Sequence, residues 1–412
     1  SYALHVKFLL KKDNWRNWQA PESATWGREY LSLKSLKIGE FDLVPSYRGS
    51  KRVLDGIDVV VMGGWEAPFF IKTIFRAKMK LIPIIQFYES TVGSHRFNGP
   101  LIRKIRFIIF SQADFIVTAG TASTEAVLNT GIAKEKIITL FNPVDVSWFD
   151  SFARSHRIAP TPGHRFLYVG QLIARKNVGA LIEAFALIKQ GDDRLLIAGD
   201  GPLLNELRAT AVSLGVGDVV DFLGHKNQEE LATIYASSNT FILPSTNEVW
   251  GLVVNEALAS GLHAVVSDKC GVAEFVENMP GCYITPTDPR SLADAMAKSR
   301  QNWNGYIDSP QILEYTPERF ADEIVKVVGR VWERSNQIGL TWLTNIPVPY
   351  RIPVWEALDA RSRFNLVLLN KTERGRNWNL SKELAGLSIR ILSTKAIYLG
   401  DDTPLYLNFF KG

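Results

Sequence analysis

The sequence predicts an α/β protein with two doubly wound parallel sheets. Short apolar runs, such as residues 57–62 and 240–244, lack a polar face, as expected of parallel strands covered on both sides. Helical patterns separate these runs, which is the alternation typical of doubly wound folds. Residues 142–145 end the first domain, and a polar, proline-containing stretch from there to about residue 163 predicts a linker to the second.

Composition limits the class of protein. The 412 residues, 46% of them hydrophobic, suffice for two or three domains. A net charge of +5 favours an anionic substrate or membrane surface and is too small to indicate nucleic acid. Cys270 and Cys282 form no disulfide pattern, and no signal peptide or membrane-spanning run is visible, so we expect a cytoplasmic protein. Ser1 enters a strand pattern almost at once and residues 408–412 offer no natural stop, which predicts a piece of a longer reading frame.

The first domain is predicted over residues 1–145. Strand and helix patterns alternate along it: strands at 4–10, 57–62, 82–87, 115–118 and 136–141, and helices at 68–80, 101–110 and 121–130. The second domain is predicted over 164–312, and an amphipathic helix at 317–334, within residues 313–337, follows it. The second domain has predicted strands at 166–169, 194–198, 219–222, 240–244 and 264–267, with helices at 178–189, 202–214, 229–237, 252–260 and 291–300. Pro202 is expected to start the second of these helices.

Residues 338–412 predict a second beginning: a strand at 340–344, a loop at 345–351, a helix at 354–360 and a strand at 364–369. The segment 368–378 echoes 9–18 with an offset of 360 residues, which indicates a tandem duplication, with chance similarity as the alternative. We expect strand 340–344 to dock beside residues 59–62 and close the first sheet. Residues 364–369 would then compete with 4–10 for one place, and residues beyond about 375 would pack poorly.

The turn before helix 252–260 is the strongest candidate site. A helix N-terminus offers free N–H groups and a positive dipole end that suit a phosphate, and Gly251 lets a diphosphate approach the backbone. Glu248 and Glu256 are suited to accept hydrogen bonds from hydroxyls of a donor sugar and of a ribose. The alternative is an ordinary strand-turn-helix with two solvated glutamates.

The frame Glu-Val-Trp-Gly-Leu-Val-Val-Asn-Glu-Ala-Leu-Ala-Ser-Gly, from Glu248 to Gly261, resembles the nucleotide-sugar motif of the family 4 retaining glycosyltransferases. The resemblance covers about residues 1–335, is strongest over 165–275, and extends to 338–412 as the start of another copy. It implies the GT-B fold, in which two Rossmann-like domains face a cleft. It also implies a hexosyltransferase that moves a sugar from a UDP- or GDP-sugar, with retention, to a glycan or lipid-linked acceptor.

Arg175 and Lys176 follow the first strand of the second domain. Transfer leaves a diphosphate whose negative charge needs a metal or fixed cations. The chain has no Asp-x-Asp metal motif, and the family uses a lysine at the position of Lys176, so we expect no metal and no cofactor. Where the family often has an arginine after Gly170, this chain has Gln171, so either Arg175 takes over that charge or one cation is lost. Two solvated basic residues are the alternative.

The remaining donor candidates follow from the same resemblance. Gly199-Asp200-Gly201-Pro202 has the family's Gly-x-Gly-Pro form, for which a structural turn is as good an explanation as ligand contact, and Gly271 with Glu274 has its Gly-x-x-Glu form. The predicted donor-binding residues are Gly170, Gly199, Gly201, Gly251, Leu252, Val253, Glu256, Gly271 and Glu274.

Acceptor candidates are weaker. The family often carries a histidine near the donor sugar, where this chain has Glu89, so the catalytic group of the first domain is left open. A solvated loop residue is the alternative for His95. The candidates are Gly63, Gly64, Glu89, His95, Arg96, Asn345 and Arg351.

Helix 101–110 carries Arg103, Lys104 and Arg106 among isoleucines, a pattern that fits peripheral contact with an anionic membrane at its inner face, although most such helices bury one face in the core. Two alternatives to a transferase stay open: another GT-B enzyme, such as a sugar-nucleotide epimerase or a phosphorylase, and a non-catalytic sugar-nucleotide-binding domain.

Overall fold

The structure is a computed structural model. It describes residues 54–65, 68–94, 99–157, 162–331 and 351–359, and elsewhere only the backbone of short strands. His95, Arg96, Asn345 and most residues beyond 375 lie outside the described residues.

The first sheet has nine parallel strands. Their order is β2-β1-β17-β16-β15-β5-β6-β7-β8, so strands from both ends of the chain lie in one sheet. The bounds are β1 Leu4–Phe8, β2 Glu29–Tyr30, β5 Val59–Met62, β6 Ile84–Tyr88, β7 Phe115–Ala119, β8 Ile137–Leu140, β15 Gly339–Thr344, β16 Arg363–Leu368 and β17 Ile389–Ile391. Two separate antiparallel pairs join β3 Leu36–Ile38 to β4 Phe41–Leu43 and β18 Ile397–Tyr398 to β19 Pro404–Leu405.

Strand β15 lies directly beside β5. Leu340 is opposite Val59 and Leu343 is opposite Met62, in parallel register. The expected competition between residues 364–369 and 4–10 is wrong: β16 takes the place next to β15, and β1 pairs with β16 from Leu4 onward. A doubly wound sheet can grow at an edge, so both strands fit.

Helices α1 Pro68–Met79, α2 Pro100–Phe110 and α3 Gly120–Leu128 connect strands β5 to β8 in turn. Their buried side chains form a hydrophobic cluster with this sheet that includes Val60, Met62, Phe70, Ile74 and Phe110. The bounds agree with the sequence patterns to within about two residues at each end.

The second sheet has six parallel strands in the order β11-β10-β9-β12-β13-β14, the doubly wound arrangement that was predicted. The strands are β9 Arg165–Val169, β10 Arg194–Ala198, β11 Val220–Gly224, β12 Thr240–Leu243, β13 His263–Ser267 and β14 Cys282–Thr285. The helices are α5 Val178–Ile188, α6 Leu204–Ser213, α7 Gln228–Ala236, α8 Leu252–Ala259, α9 Ala273–Val276 and α10 Pro289–Gln301. Strand β14 was not predicted because three of its four residues are only half-buried, as befits an edge strand.

The predicted linker is mostly a helix, α4 Val146–His156. Asp145 caps it by accepting a hydrogen bond from the Trp148 N–H at 3.0 Å. Phe149 is buried and meets the Tyr235 ring edge-on at 5.9 Å, so α4 packs on the second domain. The prediction of a linker to residue 163 is therefore wrong: Pro143 precedes the cap and does not interrupt the helix.

Helix α11 Pro317–Val331 leaves the second domain and returns to the first. Its Phe320 ring lies 6.1 Å from that of Phe87 and 5.7 Å from that of Phe141. Helix α12 Ile352–Asp359 packs on α11 and buries Trp355 completely. The chain therefore reaches β15 and α12 from a helix that already lies against the first sheet.

Candidate active site

The turn between β12 and α8 has the predicted geometry. Gly251 adopts φ 101°, and a Cβ there would lie 2.6 Å from Cδ2 of Leu243, so the position requires glycine. Helix α8 starts at the next residue, with Leu252 and Val253 only partly buried in its first turn. The unpaired N–H groups of that turn are available to an anion.

Glu256 lies one turn into α8 and has a fixed partner. The Tyr235 hydroxyl, on α7, donates a hydrogen bond to Oε2 of Glu256 at 2.9 Å. Burial raises the pKa of the Glu256 carboxyl to about 7, although this hydrogen bond lowers it in part. Burial also raises the pKa of Tyr235, with the Glu256 charge acting in the same direction. The tyrosine therefore remains the donor and holds the carboxylate in one orientation.

Lys176 and Glu248 meet at the centre of the site. The ammonium of Lys176 forms an ion pair with Oε2 of Glu248, and Arg175 Nη1 lies 3.6 Å from the same oxygen. Their turn is fixed by Asn177, whose φ is 57° and whose Nδ2 donates to the Pro244 carbonyl at 3.2 Å. The structure thus brings together the predicted catalytic residues Lys176, Arg175 and Glu248, although Lys176 and Glu248 are 72 residues apart along the chain.

The Gly-x-Gly-Pro turn packs against the Gly170 turn. The Leu172 N–H donates to the Asp200 carbonyl at 2.9 Å, and Gly199 has φ 144° with its Cα facing the Gly170 carbonyl. A side chain at Gly201 would overlap the Leu172 backbone. Close backbone packing is thus sufficient to require both glycines. Pro202 does not begin the helix as expected, because α6 starts at Leu204.

The third loop, after β13, supports the central turn. The Gly271 N–H donates to the Glu248 carbonyl at 3.0 Å, and any side chain at Gly271 would overlap the Val249 carbonyl. Glu274, at the start of α9, accepts a hydrogen bond from the Thr121 hydroxyl of the first domain. Glu274 therefore contacts the opposite wall of the cleft, which the sequence did not predict.

On the first domain, Gly63 and Gly64 follow β5, and the Gly64 carbonyl accepts a hydrogen bond from Gln86 Nε2 at 3.3 Å. Glu89 follows β6 and keeps 30% of its side chain exposed. Arg351 is only 2% exposed and forms an ion pair with Glu89. Arg351 was predicted to contact the acceptor, but its side chain is not exposed. Glu89 is the member of this pair that solvent reaches.

Two further contacts join the domains. Asn247, in the central turn, donates from Nδ2 to the Gly93 carbonyl at 2.7 Å. Asn255 Nδ2 donates to the Asn142 carbonyl at 3.0 Å, and both residues are buried. Sequence reasoning missed them because a neutral asparagine inside a motif gives no chemical signal of its own.

Helix α2 exposes fewer basic side chains than the sequence predicted. Arg106 is 7% exposed, with its guanidinium 5.1 Å from the centre of the Trp65 ring. Arg103 and Lys104 are exposed, beside Leu101, Phe107 and Ile108, which are 68%, 42% and 43% exposed. Only two of the three basic residues can thus meet a surface.

Among the described residues, no helix is both long and apolar enough to cross a membrane. Within the same part of the chain, no group of three or more histidine, cysteine or acidic residues is placed to hold a metal ion.

Comparisons with known proteins agree with this geometry. Residues 152–310 match the family described as "Glycosyl transferases group 1". An uncharacterised glycosyltransferase of Methanocaldococcus jannaschii is 26% identical over 269 residues, which cover 61% of this chain and 68% of that protein. A glycogen synthase of Mycobacterium tuberculosis is 28% identical over 291 residues, which cover 68% of this chain and 69% of that protein.

Solved structures share the fold. A glycosyltransferase from Rickettsia africae superposes with a TM-score of 0.58 at 14% identity, covering 70% of this chain and 81% of that one. The Anabaena protein HepE, solved in complex with UDP, superposes with a TM-score of 0.52 at 15% identity, covering 67% of this chain and 82% of HepE. These superpositions show the GT-B fold. The family match over residues 152–310 and the glycosyltransferase relatives show a glycosyltransferase that uses a nucleotide-sugar donor.

Proposed function

We propose that the protein is a retaining, metal-independent hexosyltransferase that takes its sugar from a UDP- or GDP-sugar. The observation that carries this proposal is the meeting of Lys176 and Arg175 with Glu248 beside the N-terminus of α8. A diphosphate leaving group would find two cations and unpaired N–H groups there, and a hydroxyl-binding carboxylate at Glu256.

Glu248 pairs with Lys176 and lies close to Arg175 in the structure. When a diphosphate arrives, its charge competes for Lys176, and the released Glu248 carboxylate becomes an acceptor for hydroxyls of the donor sugar. This division of roles gives each group of the site one partner. The nucleotide of the donor is UDP or GDP, and the complex of HepE with UDP favours trying UDP first.

Donor hydrolysis tests the proposal. UDP-glucose and GDP-mannose are incubated with the protein, with EDTA and without acceptor, and released sugar is measured; thermal shift with UDP and GDP runs in parallel. We expect slow hydrolysis of one donor that EDTA does not abolish, and NMR of the product of full transfer should show retained anomeric configuration. A protein that binds the nucleotide but never hydrolyses a donor would be a binding module, and EDTA-sensitive activity would contradict the metal-free mechanism.

The acceptor is a glycan or a lipid-linked saccharide that enters from the first domain. Glu89, at the carboxyl end of β6, is the first-domain group placed to accept a hydrogen bond from it. Substituting Glu89→Gln should raise the KM for acceptor more than that for donor. Equal changes in both constants would place Glu89 outside the acceptor site.

A lipid-linked acceptor requires access to a membrane, and α2 supplies a surface for it at the cytoplasmic face. The cations of Arg103 and Lys104 lie on one helix with three exposed apolar side chains, Leu101, Phe107 and Ile108. Each cation near an anionic surface contributes about 1 kcal/mol.

Vesicle sedimentation tests this contact. The protein should bind vesicles that contain phosphatidylglycerol, release them at high salt and ignore neutral phosphatidylcholine vesicles. The double variant Arg103→Glu/Lys104→Glu should lose binding, whereas Lys298→Glu, an exposed reversal on the second domain, should keep it. Binding that survives the double variant would move the contact elsewhere.

A further inference from the structure

Arg351 is a buried cation that reaches the first domain from the far end of the chain. It stands one residue before α12, and its guanidinium lies 4.0 Å from the centre of the Phe87 ring on β6. The ring face and the Glu89 carboxylate fix its position. A buried, desolvated charge is costly unless it is held in this way, so Arg351 and Glu89 depend on each other.

The pair continues into Asn142, which follows β8. Asn142 Nδ2 donates to Oε1 of Glu89 at 2.9 Å, and its Oδ1 lies 3.5 Å from Arg351 Nη2. Arg351 and Glu89 therefore hold both polar atoms of one amide. Asn142 is only 2% exposed, so water has little access to replace these partners.

The carbonyl of Asn142 leads into the second domain. It accepts the hydrogen bond from Asn255 on α8 at 3.0 Å, and Asn255 Oδ1 accepts from Trp250 Nε1 at 3.3 Å. Asn255 is fully buried and immediately precedes Glu256. Trp250 immediately precedes Gly251, and a Cβ at Gly120 of the first domain would lie 2.7 Å from its ring.

We infer that Arg351 is a positioning residue for the donor site: through Glu89, Asn142 and Asn255 it fixes the start of α8 and with it Glu256 and Gly251. The chain of contacts is continuous, buried at Arg351, Asn142 and Asn255, and includes an ion pair and charge-assisted hydrogen bonds. Arg351 itself touches no donor group. The inference rests on the proposed donor site, since Glu256 and Gly251 matter only if they hold a nucleotide.

The test is a double-mutant cycle read on nucleotide binding. Arg351→Met and Asn255→Ala are made singly and together, and the dissociation constant for UDP and for GDP is measured by calorimetry. Each single variant should weaken binding about five- to tenfold. Because both act through one route, the double variant should bind about as weakly as the weaker single variant; independent residues this far apart would multiply their losses.

Two variants serve as controls. Arg351→Lys keeps the charge for Glu89 but lacks the planar fork that also faces Asn142, so it should restore part of the affinity. Tyr306→Phe removes a partly buried hydrogen bond to the Ala236 carbonyl, outside this route, and its small effect on affinity should multiply with that of Arg351→Met. If Arg351→Met acted only by a general loss of stability, it would combine with Asn255→Ala and with Tyr306→Phe in the same way.

Urea unfolding of the same variants gives a readout without nucleotide. The losses in unfolding free energy of Arg351→Met and Asn255→Ala should fall short of their sum when combined. If the wild-type protein binds neither nucleotide, the proposed donor is wrong, and the unfolding cycle alone decides the inference. Multiplied affinity losses, additive unfolding losses, or an Arg351→Met protein that folds and binds nucleotide like wild type would overturn it.

Discussion

The two sheets are assembled in different ways along the chain. The second sheet draws its six strands from one stretch, β9 to β14, between Arg165 and Thr285. The first sheet places β15 and β16 from near the other end of the chain between β1 and β5. The donor wall of the cleft is therefore a local product of sequence, whereas the opposite wall depends on pairings across about 280 residues. A defect in residues 339–368 should disrupt the sheet of the first domain and leave the sheet of the second intact, with Arg351 the one described residue of this segment whose loss also reaches the start of α8.

Deletion of residues 339–412 should have the largest effect. It uncovers the edge of β5 in a nine-stranded sheet and removes the partner of Glu89. We expect loss of soluble protein or of cooperative unfolding for the first domain, measured by yield and by hydrogen exchange of β5 amides. Removal of residues 406–412 alone is the control. Unchanged hydrogen exchange at β5 after deletion of residues 339–412 would show that β5 does not depend on the distant segment.

Lys176→Ala should come next, with a loss of about a hundredfold or more in donor cleavage, as expected when one preorganised charge donor is removed. The change lies wholly in the local wall, so the melting temperature should stay close to that of wild type. Lys189→Ala, at the exposed end of α5, is the matched control. The rate of sugar release from UDP-glucose is the measurement, and a loss under threefold would contradict the metal-free model.

Glu256→Gln should weaken UDP binding about tenfold, since a neutral amide accepts less strongly from ribose hydroxyls than a carboxylate. The same change should stabilise the empty protein. Burial raises the pKa of Glu256 from 4.5 to about 7, so the folded state holds this proton more tightly. Stability present at low pH is therefore lost as pH rises through 7, and the variant should gain up to roughly 3 kcal/mol above pH 7 and almost nothing at pH 4.

Urea melts at pH 4 and pH 8 check the sign of this effect, and calorimetry checks the affinity. Glu248→Gln is the matched carboxylate on the other side of Lys176. It should bind UDP at least as tightly as wild type, because Lys176 is released, and lose donor cleavage instead. If both variants lose UDP affinity equally, Glu256 and Glu248 do not have separate roles in binding the nucleotide and the sugar.

Tyr235→Phe should have the smallest effect. It removes the hydroxyl that orients Glu256 and leaves the ring packed against Phe149 and Phe241. UDP affinity should fall about threefold, and its rise with pH should move to higher pH because the carboxylate loses a hydrogen bond that lowers its pKa. An unmoved pH profile would show that the tyrosine only fills space.

The strand-turn-helix units of the donor wall could be predicted from the sequence because their signals are short-range. Gly251, the spacing of Glu248 and Glu256, and Lys176 on a turn each have a chemical reason that fits within one strand-turn-helix unit. The pairing of Arg351 with Glu89 could not be predicted in this way, since 262 positions separate two ordinary charged residues and only the sheet order brings them together. Helix α4 was missed for the opposite reason: its polar residues and a nearby proline matched a linker, and the burial of Phe149 is decided by the domain it packs on.

The sheet order also determines when each sheet can be completed during translation. Strands β5 to β8 leave the ribosome early, but their neighbour β15 follows only after the whole second domain has been made. During translation, at about 5–20 residues per second, the β5 edge waits on the order of ten seconds or longer without its partner. The second domain can complete its sheet in that interval. This protein therefore finishes its C-terminal domain before its N-terminal one, the reverse of the usual N-terminal-first order, and an unpaired β5 is where a chaperone would be needed.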